Sequence, residues 1–209
     1  MHGPAAGPSP ALRRIREEII ADPANRDATA AGLQPLYTVH PDARIVLIGQ
    51  APGARAQRSG VPWSDPSGVT LRRWLDVDDD RFHDPTSFAI LPMDFYYPGK
   101  GTHGDLPPRP GVAARWHPRL LAELPHVQLT VLIGRYAQQH YLPAGGAATL
   151  TDTVRSFRDH LPERMPLVHP SPLNFRWQAR NPWFAEEALP ALRARVRAVL
   201  GTGAGAGDR

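Results

Sequence analysis

Four short apolar runs, separated by stretches with helical periodicity, constrain the fold of this 209-residue chain more than any other feature. Each run has the length of one buried strand, and each intervening segment is long enough to cross back over a sheet. The runs are Ile45–Ile48, Phe88–Leu91, Leu129–Ile133 and Pro166–Val168. Strands that alternate with helices predict parallel pairing with helices on both faces. The expected fold class is therefore a single-domain, three-layer α/β/α protein with a central, mainly parallel four-stranded sheet.

Other local patterns predict how the connections are built. Apolar residues spaced three and four apart predict a helix over residues 11–21. Asn181 and Pro182 have the pattern of a helix N-cap followed by proline at the first helical position. The glycine-rich residues 98–105 are expected to form an irregular loop. The acidic run 76–80 lacks the spacing of a calcium loop, so we expect a solvated turn there.

Composition bounds the class of protein. With no cysteine, the chain cannot form disulfides, a thiolate zinc site or an iron–sulfur cluster. No apolar run approaches the roughly 20 residues of a membrane span, so a cytoplasmic location is expected. The formal charge of +4 favours a polyanionic partner only weakly. We expect a disordered lead over residues 1–10, one domain over 11–200 and a disordered tail over 201–209.

Two loops that follow predicted strands carry the candidate chemistry. Gly49-Gln50-Ala51-Pro52-Gly53 follows the first run, and His169-Pro170-Ser171-Pro172-Leu173-Asn174 follows the last. Loops at the carboxyl ends of parallel strands can meet over one sheet, and the two prolines stiffen the second loop. Taken alone, the second loop is more typical of a rigid turn whose histidine makes one structural hydrogen bond.

In this order and at this separation, the two motifs resemble the uracil-DNA glycosylase superfamily, and the resemblance extends from about Ala43 to Leu200. It implies an enzyme that flips uracil, or a related deaminated base, out of DNA and hydrolyses its N-glycosidic bond during base-excision repair. It implies DNA as the partner, a monomer, and neither a metal nor a nucleotide cofactor. The absence of cysteine excludes the branch with an iron–sulfur cluster.

The resemblance also assigns roles to residues. His169 matches the histidine that donates a hydrogen bond to the pyrimidine O2, and backbone N–H groups of the first loop, around Gln50 and Ala51, would share that task. The loop residues expected to bind the substrate are Gly49, Ala51, Pro52 and Gly53. Trp63 would stack on the flipped base. Leu173 matches the residue that wedges into the duplex. The remaining expected DNA contacts are Ser171, Pro172, Asn174 and Lys100, the last of which lies in the loop 98–105.

Two departures from the family pattern leave alternatives open. Ala51 stands where well-known members carry the aspartate that activates water. Asp65, just before Ser67-Gly68, matches the aspartate of another branch, so Asp65 and Gln50 compete for the catalytic role, and Asp65 could instead be a helix N-cap. The family's uracil-reading asparagine is not evident, and either a protonated Asp94 or a backbone group could read the base in its place. The alternative function is a glycosylase-fold protein that binds DNA without cutting it.

Overall fold

The computed structural model describes residues 9–102, 104–142 and 149–201. Most of the predicted lead and tail lies outside the described residues, although Pro10 already belongs to the first helix. The strands are β1 (Ile45–Ile48), β2 (Phe88–Ile90), β3 (Lys100–Gly101), β4 (Gly104–Asp105), β5 (Leu129–Ile133) and β6 (Arg164–Leu167). The helices are α1 (Pro10–Ala21), α2 (Arg26–Ala30), α3 (Ala54–Ser59), α4 (Pro66–Leu75), α5 (Asp79–His83), α6 (Val112–Leu121), α7 (Arg135–Tyr141), α8 (Leu150–Arg155), α9 (Phe175–Arg180) and α10 (Leu189–Leu200).

The central sheet has the strand order β2-β1-β5-β6, and every neighbouring pair is parallel. Ile45 is the register partner of both Phe88 and Leu129. Because the chain leaves β1 first toward β2 and later returns beside it as β5, the connections diverge at β1. Such a switch point leaves a crevice at the carboxyl ends of the strands, which is where doubly wound folds bind ligands.

Alternating strand residues face two hydrophobic cores. Ile45 and Leu47 pack with α4, α5, α8 and α10 on one face. Val46 and Ile48 pack with α1, α6 and α7 on the other. Strands buried on both faces read as continuous apolar runs, which is why the runs were visible in the sequence. The predicted fold class, a single-domain three-layer α/β/α protein with a four-stranded sheet, is confirmed.

Three local predictions need correction. Residues 98–105 are not an irregular loop, because β3 and β4 pair as a short antiparallel hairpin. The acidic run 76–80 is exposed, but it is more than a turn, since Asp78 accepts a hydrogen bond from Arg81 N and caps α5. Asn181 does not cap the last helix, because its side chain bonds to Trp177 and Trp183 instead. None of the described helices is long and apolar enough to span a bilayer.

Candidate active site

A cavity of about 470 Å³ opens at the carboxyl edge of the sheet. Its walls come from the loop after β1, the residues after β2, the loop after β6 and the start of α4, while the β3–β4 hairpin contributes part of its rim. The following predicted site residues line it: Gly49, Gln50, Ala51, Pro52, Gly53, Trp63, Asp65, His169, Ser171 and Leu173. The fold therefore brings together two loops that lie more than a hundred residues apart in sequence.

The loop that carries His169 is held from both ends. At the end of β6, Gln138 Nε2 donates a hydrogen bond of 2.8 Å to Leu167 O. Further along the loop, Asn174 Nδ2 donates a hydrogen bond of 2.7 Å to His169 O, and Ser171 Oγ accepts a hydrogen bond from Leu173 N. These bonds, together with Pro170 and Pro172, fix the backbone on either side of the imidazole.

The imidazole of His169 faces the cavity without a structural partner. Its ring nitrogens make no hydrogen bond with any other described residue, and its ring centroid lies 5.8 Å from that of Trp63. Burial lowers the pKa of His169 below its ordinary value, an effect that the charges of Asp65 and Asp105 partly oppose. The neutral ring can still donate from one nitrogen, so it can stabilise negative charge that develops on a ligand.

Trp63 is fixed by close backbone packing. Its backbone adopts a left-handed φ of +57°. Its carbonyl oxygen fills the space beside Gly68, where a Cβ atom would lie only 1.8 Å away. Its indole ring packs against Gly49, where a Cβ atom would lie 3.1 Å from the ring. Small residues at both places therefore let the aromatic ring form one wall of the cavity.

Asp65 has two oxygens with different surroundings. Oδ1 accepts a hydrogen bond of 2.9 Å from Gly68 N and caps α4. Oδ2 lies on the side of Gly53, 3.7 Å from where a Cβ of that residue would be. One carboxylate can thus cap the helix and present its other oxygen to the cavity, so the two roles considered for this residue are compatible.

Gln50 has one amide group committed to the fold. Its Nε2 donates 2.8 Å to Leu106 O, which ties the first loop to the segment after the β3–β4 hairpin. The backbone carbonyls of Gly49 and Gln50 accept hydrogen bonds from Met93 and Asp94. The first loop is therefore joined to the residues after β2, and the side chain of Gln50 has a structural role in holding this loop.

The family model described as "Uracil DNA glycosylase superfamily" matches residues 36–193. The chain belongs to this superfamily. Among solved structures, the chain is similar to an NMR structure from Methanosarcina acetivorans titled a "putative Uracil DNA glycosylase", at 13% sequence identity and a TM-score of 0.46. That likeness covers 79% of this chain and 98% of the other.

Within the superfamily frame, Asp94 does not occupy the position expected of a base reader. Its side chain is fully buried and does not line the cavity. Oδ1 accepts from Arg109 Nη2 and Tyr96 N, and Oδ2 accepts from Arg109 Nε and N. Both oxygens of Asp94 are therefore engaged within the fold, by two backbone donors and a bidentate guanidinium, and a role for Asp94 in reading the base stays a prediction.

Pro92, also in the loop after β2, lines the cavity in place of a polar reader. Its carbonyl oxygen accepts 3.0 Å from Nε2 of His117, which is only 1% exposed. Since that nitrogen must carry the proton, Nδ1 accepts from Tyr141 OH at 2.6 Å. Burial, with a smaller contribution from His140, lowers the pKa of His117 to about 4. This neutral histidine supports the cavity wall from behind.

The predicted DNA contacts of the superfamily pattern divide into two groups. Leu173, which is 84% exposed, and Ser171 lie on the cavity wall and rim. Pro172 lines a neighbouring groove, Asn174 bonds within its own loop, and Lys100 is exposed on β3 without lining the cavity. For all five residues, a contact with DNA stays a prediction.

Sequence reasoning missed several cavity residues. Leu36, Ile90 and Pro92 supply apolar surface, Asp105 supplies an acidic rim, and Ser67 supplies a hydroxyl. Asp105 had no signal, because the hairpin that carries it was not predicted. Ser67 had a signal that went unused, since it lies four residues before Leu71 on the core-facing stripe of α4.

Proposed function

We propose that this protein is a DNA glycosylase that flips uracil, or a related deaminated base, out of DNA and hydrolyses its N-glycosidic bond. One observation carries the proposal. A histidine whose ring bonds to no described residue, an aromatic wall and a carboxylate line one cavity, and an exposed leucine lies at its rim. A base inside a duplex can reach such a cavity only if it leaves the stack.

In the proposed reaction the C1′–N1 bond breaks and its electron pair passes to the departing base. Neutral His169 donates a hydrogen bond to the oxygen where this charge accumulates. Removal of such a donor typically lowers rates about 10²–10³-fold. Water supplies its oxygen to C1′ and loses a proton, and the base anion takes up a proton from solvent.

Asp65 is assigned the second catalytic role. Its free Oδ2 can position the water or stabilise positive charge on the sugar, whereas Gln50 has its amide nitrogen engaged with Leu106 O. Trp63 would stack on the base, an interaction worth roughly 1–3 kcal/mol. Leu173 would fill the space that the base leaves in the duplex.

The second candidate function, binding of uracil-containing DNA without cleavage, is favoured by Ala51, which leaves the first loop without a carboxylate. One experiment separates the two functions. End-labelled oligonucleotides with uracil, hypoxanthine, xanthine or a thymine mismatch are incubated with the protein, and abasic sites are then cleaved with alkali. Strand breaks at uracil support the glycosylase, while retention of intact uracil DNA without breaks supports the binding protein.

A further inference from the structure

Ser67 combines burial with a free hydroxyl. It is 9% exposed, and it lines the cavity. Its hydroxyl makes no hydrogen bond with another described residue. By contrast, Ser87 is 3% exposed and donates 2.6 Å to Asp84 Oδ2. A hydroxyl on a mostly buried residue that lines a cavity and bonds to no described residue is available to a ligand atom.

Ser67 lies where the core-facing side of α4 reaches the cavity. It belongs to the core-facing stripe of α4 that continues with Leu71 and Trp74, which are 0% and 1% exposed. This stripe packs on the sheet face that includes Ile90, which also lines the cavity. Ser67 therefore replaces an apolar core residue at the one point where the stripe reaches the cavity.

The chemistry of a flipped pyrimidine indicates which atom would meet this hydroxyl. The sugar is attached at N1 and stays at the cavity mouth, so the ring position across from N1, position 4, enters deepest. Uracil carries an oxygen there. The apolar side chains of Leu36, Ile90 and Pro92 around the cavity offer that oxygen no donor, and an unpaired buried acceptor is unfavourable.

We propose that the Ser67 hydroxyl donates a hydrogen bond to the oxygen at position 4 of the excised base, and so acts as the base-reading group of this chain. The inference rests on the proposed glycosylase function and deepens it. A hydroxyl rotates, and it accepts as readily as it donates. Ser67 therefore favours bases with a polar group at position 4 over bases without one, but it does not strictly separate an oxygen from an amino group.

The test compares two buried serines and two bases. Single-turnover cleavage is measured for Ser67→Ala and Ser87→Ala on single-stranded DNA that contains uracil or 2-pyrimidinone, which lacks the oxygen at position 4. Ser67→Ala should slow cleavage of uracil on the order of tenfold and leave cleavage of 2-pyrimidinone unchanged. Its melting temperature should not fall, because the hydroxyl bonds to none of the residues that the structure describes.

Ser87→Ala is the matched control. Ser87 lies at the opposite end of β2, so its loss should lower the melting temperature and leave both cleavage rates of the folded protein unchanged. Ser67→Ala with the wild-type rate on uracil, or with equal losses on the two bases, would overturn the inference.

A separate outcome distinguishes this inference from the proposed function. If the wild-type protein cleaves neither base, the glycosylase proposal fails, and affinity is then measured by fluorescence anisotropy on 2′-fluorinated oligonucleotides. A wild-type preference for uracil over 2-pyrimidinone that Ser67→Ala abolishes would still support the reading role. No preference in the wild-type protein would reject it.

Discussion

The loops after β6 and β2 leave the same edge of the same sheet, and each carries an ionisable side chain a few residues beyond its strand. In the loop after β6, His169 faces the cavity and has no hydrogen-bonding partner among the described residues. In the loop after β2, Asp94 is buried and accepts four hydrogen bonds, three of them from Arg109. What separates a group available to a ligand from a structural one is thus the supply of partners inside the protein, rather than its position after a strand.

The largest effect is expected from Asp94, both of whose carboxylate oxygens accept hydrogen bonds within the protein. Asp94→Ala leaves Arg109 without its buried partner, and we expect the free energy of unfolding to fall by about 3–5 kcal/mol. The single-turnover rate of the protein that remains folded should be unchanged. Urea denaturation measures the free energy of unfolding, and single-turnover kinetics normalised to the concentration of folded protein measure the rate. Replacing both partners with leucine should recover part of the stability, whereas a stable Asp94→Ala protein that has lost activity would return Asp94 to the site.

The partner-free group should show the reverse pattern. His169→Ala is expected to lower the single-turnover rate about 10²–10³-fold on both single- and double-stranded uracil DNA, because the departing base needs its charge stabilised in either case. Its melting temperature should stay close to that of the wild type. His126→Ala, an exposed histidine at the opposite edge of the sheet, is the control. A large loss of stability in His169→Ala would mean that the imidazole is structural after all.

The buried His117, which hydrogen-bonds to the Pro92 carbonyl in the loop after β2, should make the stability of the protein sensitive to acid. The pKa of His117 falls from 6.5 when unfolded to about 4 when folded, so below pH 6.5 the unfolded chain binds a proton that the folded protein does not. Stability is therefore intact above pH 6.5, declines as the pH falls, and loses about 3 kcal/mol by the time it passes pH 4. Compared with wild type in urea titrations between pH 7.5 and 4, His117→Gln should show a flatter profile. Parallel profiles would contradict the assignment.

Asp65 lies between the two extremes, with one oxygen used by the fold and one free. Asp65→Asn should keep the N-cap, since asparagine caps as well as aspartate. It should still lower the single-turnover rate at least tenfold if the free charge acts in catalysis, with DNA affinity nearly unchanged. Asp65→Ala should lose about 1 kcal/mol of stability in addition. A larger loss of rate in Gln50→Ala than in Asp65→Asn would transfer the role to Gln50.

The smallest expected effect is confined to one substrate. Leu173→Ala should reduce action on duplex uracil several-fold and leave single-stranded uracil almost unaffected, because only the duplex has a stack to open. The comparison with His169→Ala, which acts on both substrates, separates the wedge from the chemistry. Equal losses on both substrates would make Leu173 a packing residue.

The sequence predicted those parts of the molecule that depend on local pattern. β1 and β5 begin and end at the predicted residues, since strands buried on both faces leave continuous apolar runs. The β3–β4 hairpin was missed because its strands are only two residues long and mostly exposed, and because their glycines leave no alternation of apolar and polar side chains. The fate of Asp94 was not predictable, because it depends on Arg109, fifteen residues further on. Ser67 could have been found from the spacing of α4, as the polar member of an apolar stripe.

The backbone of Trp63 has a consequence for the entropy of binding. A left-handed φ at a large L-residue costs of order 1–3 kcal/mol, and the fold maintains it by closing the Trp63 carbonyl against Gly68. The aromatic wall is thereby ordered when the chain folds, and a ligand that enters the cavity does not have to immobilise it. Stacking on a ring that is already held should therefore give up little conformational freedom on the protein side, so that the disorder lost on binding belongs mainly to the nucleic acid.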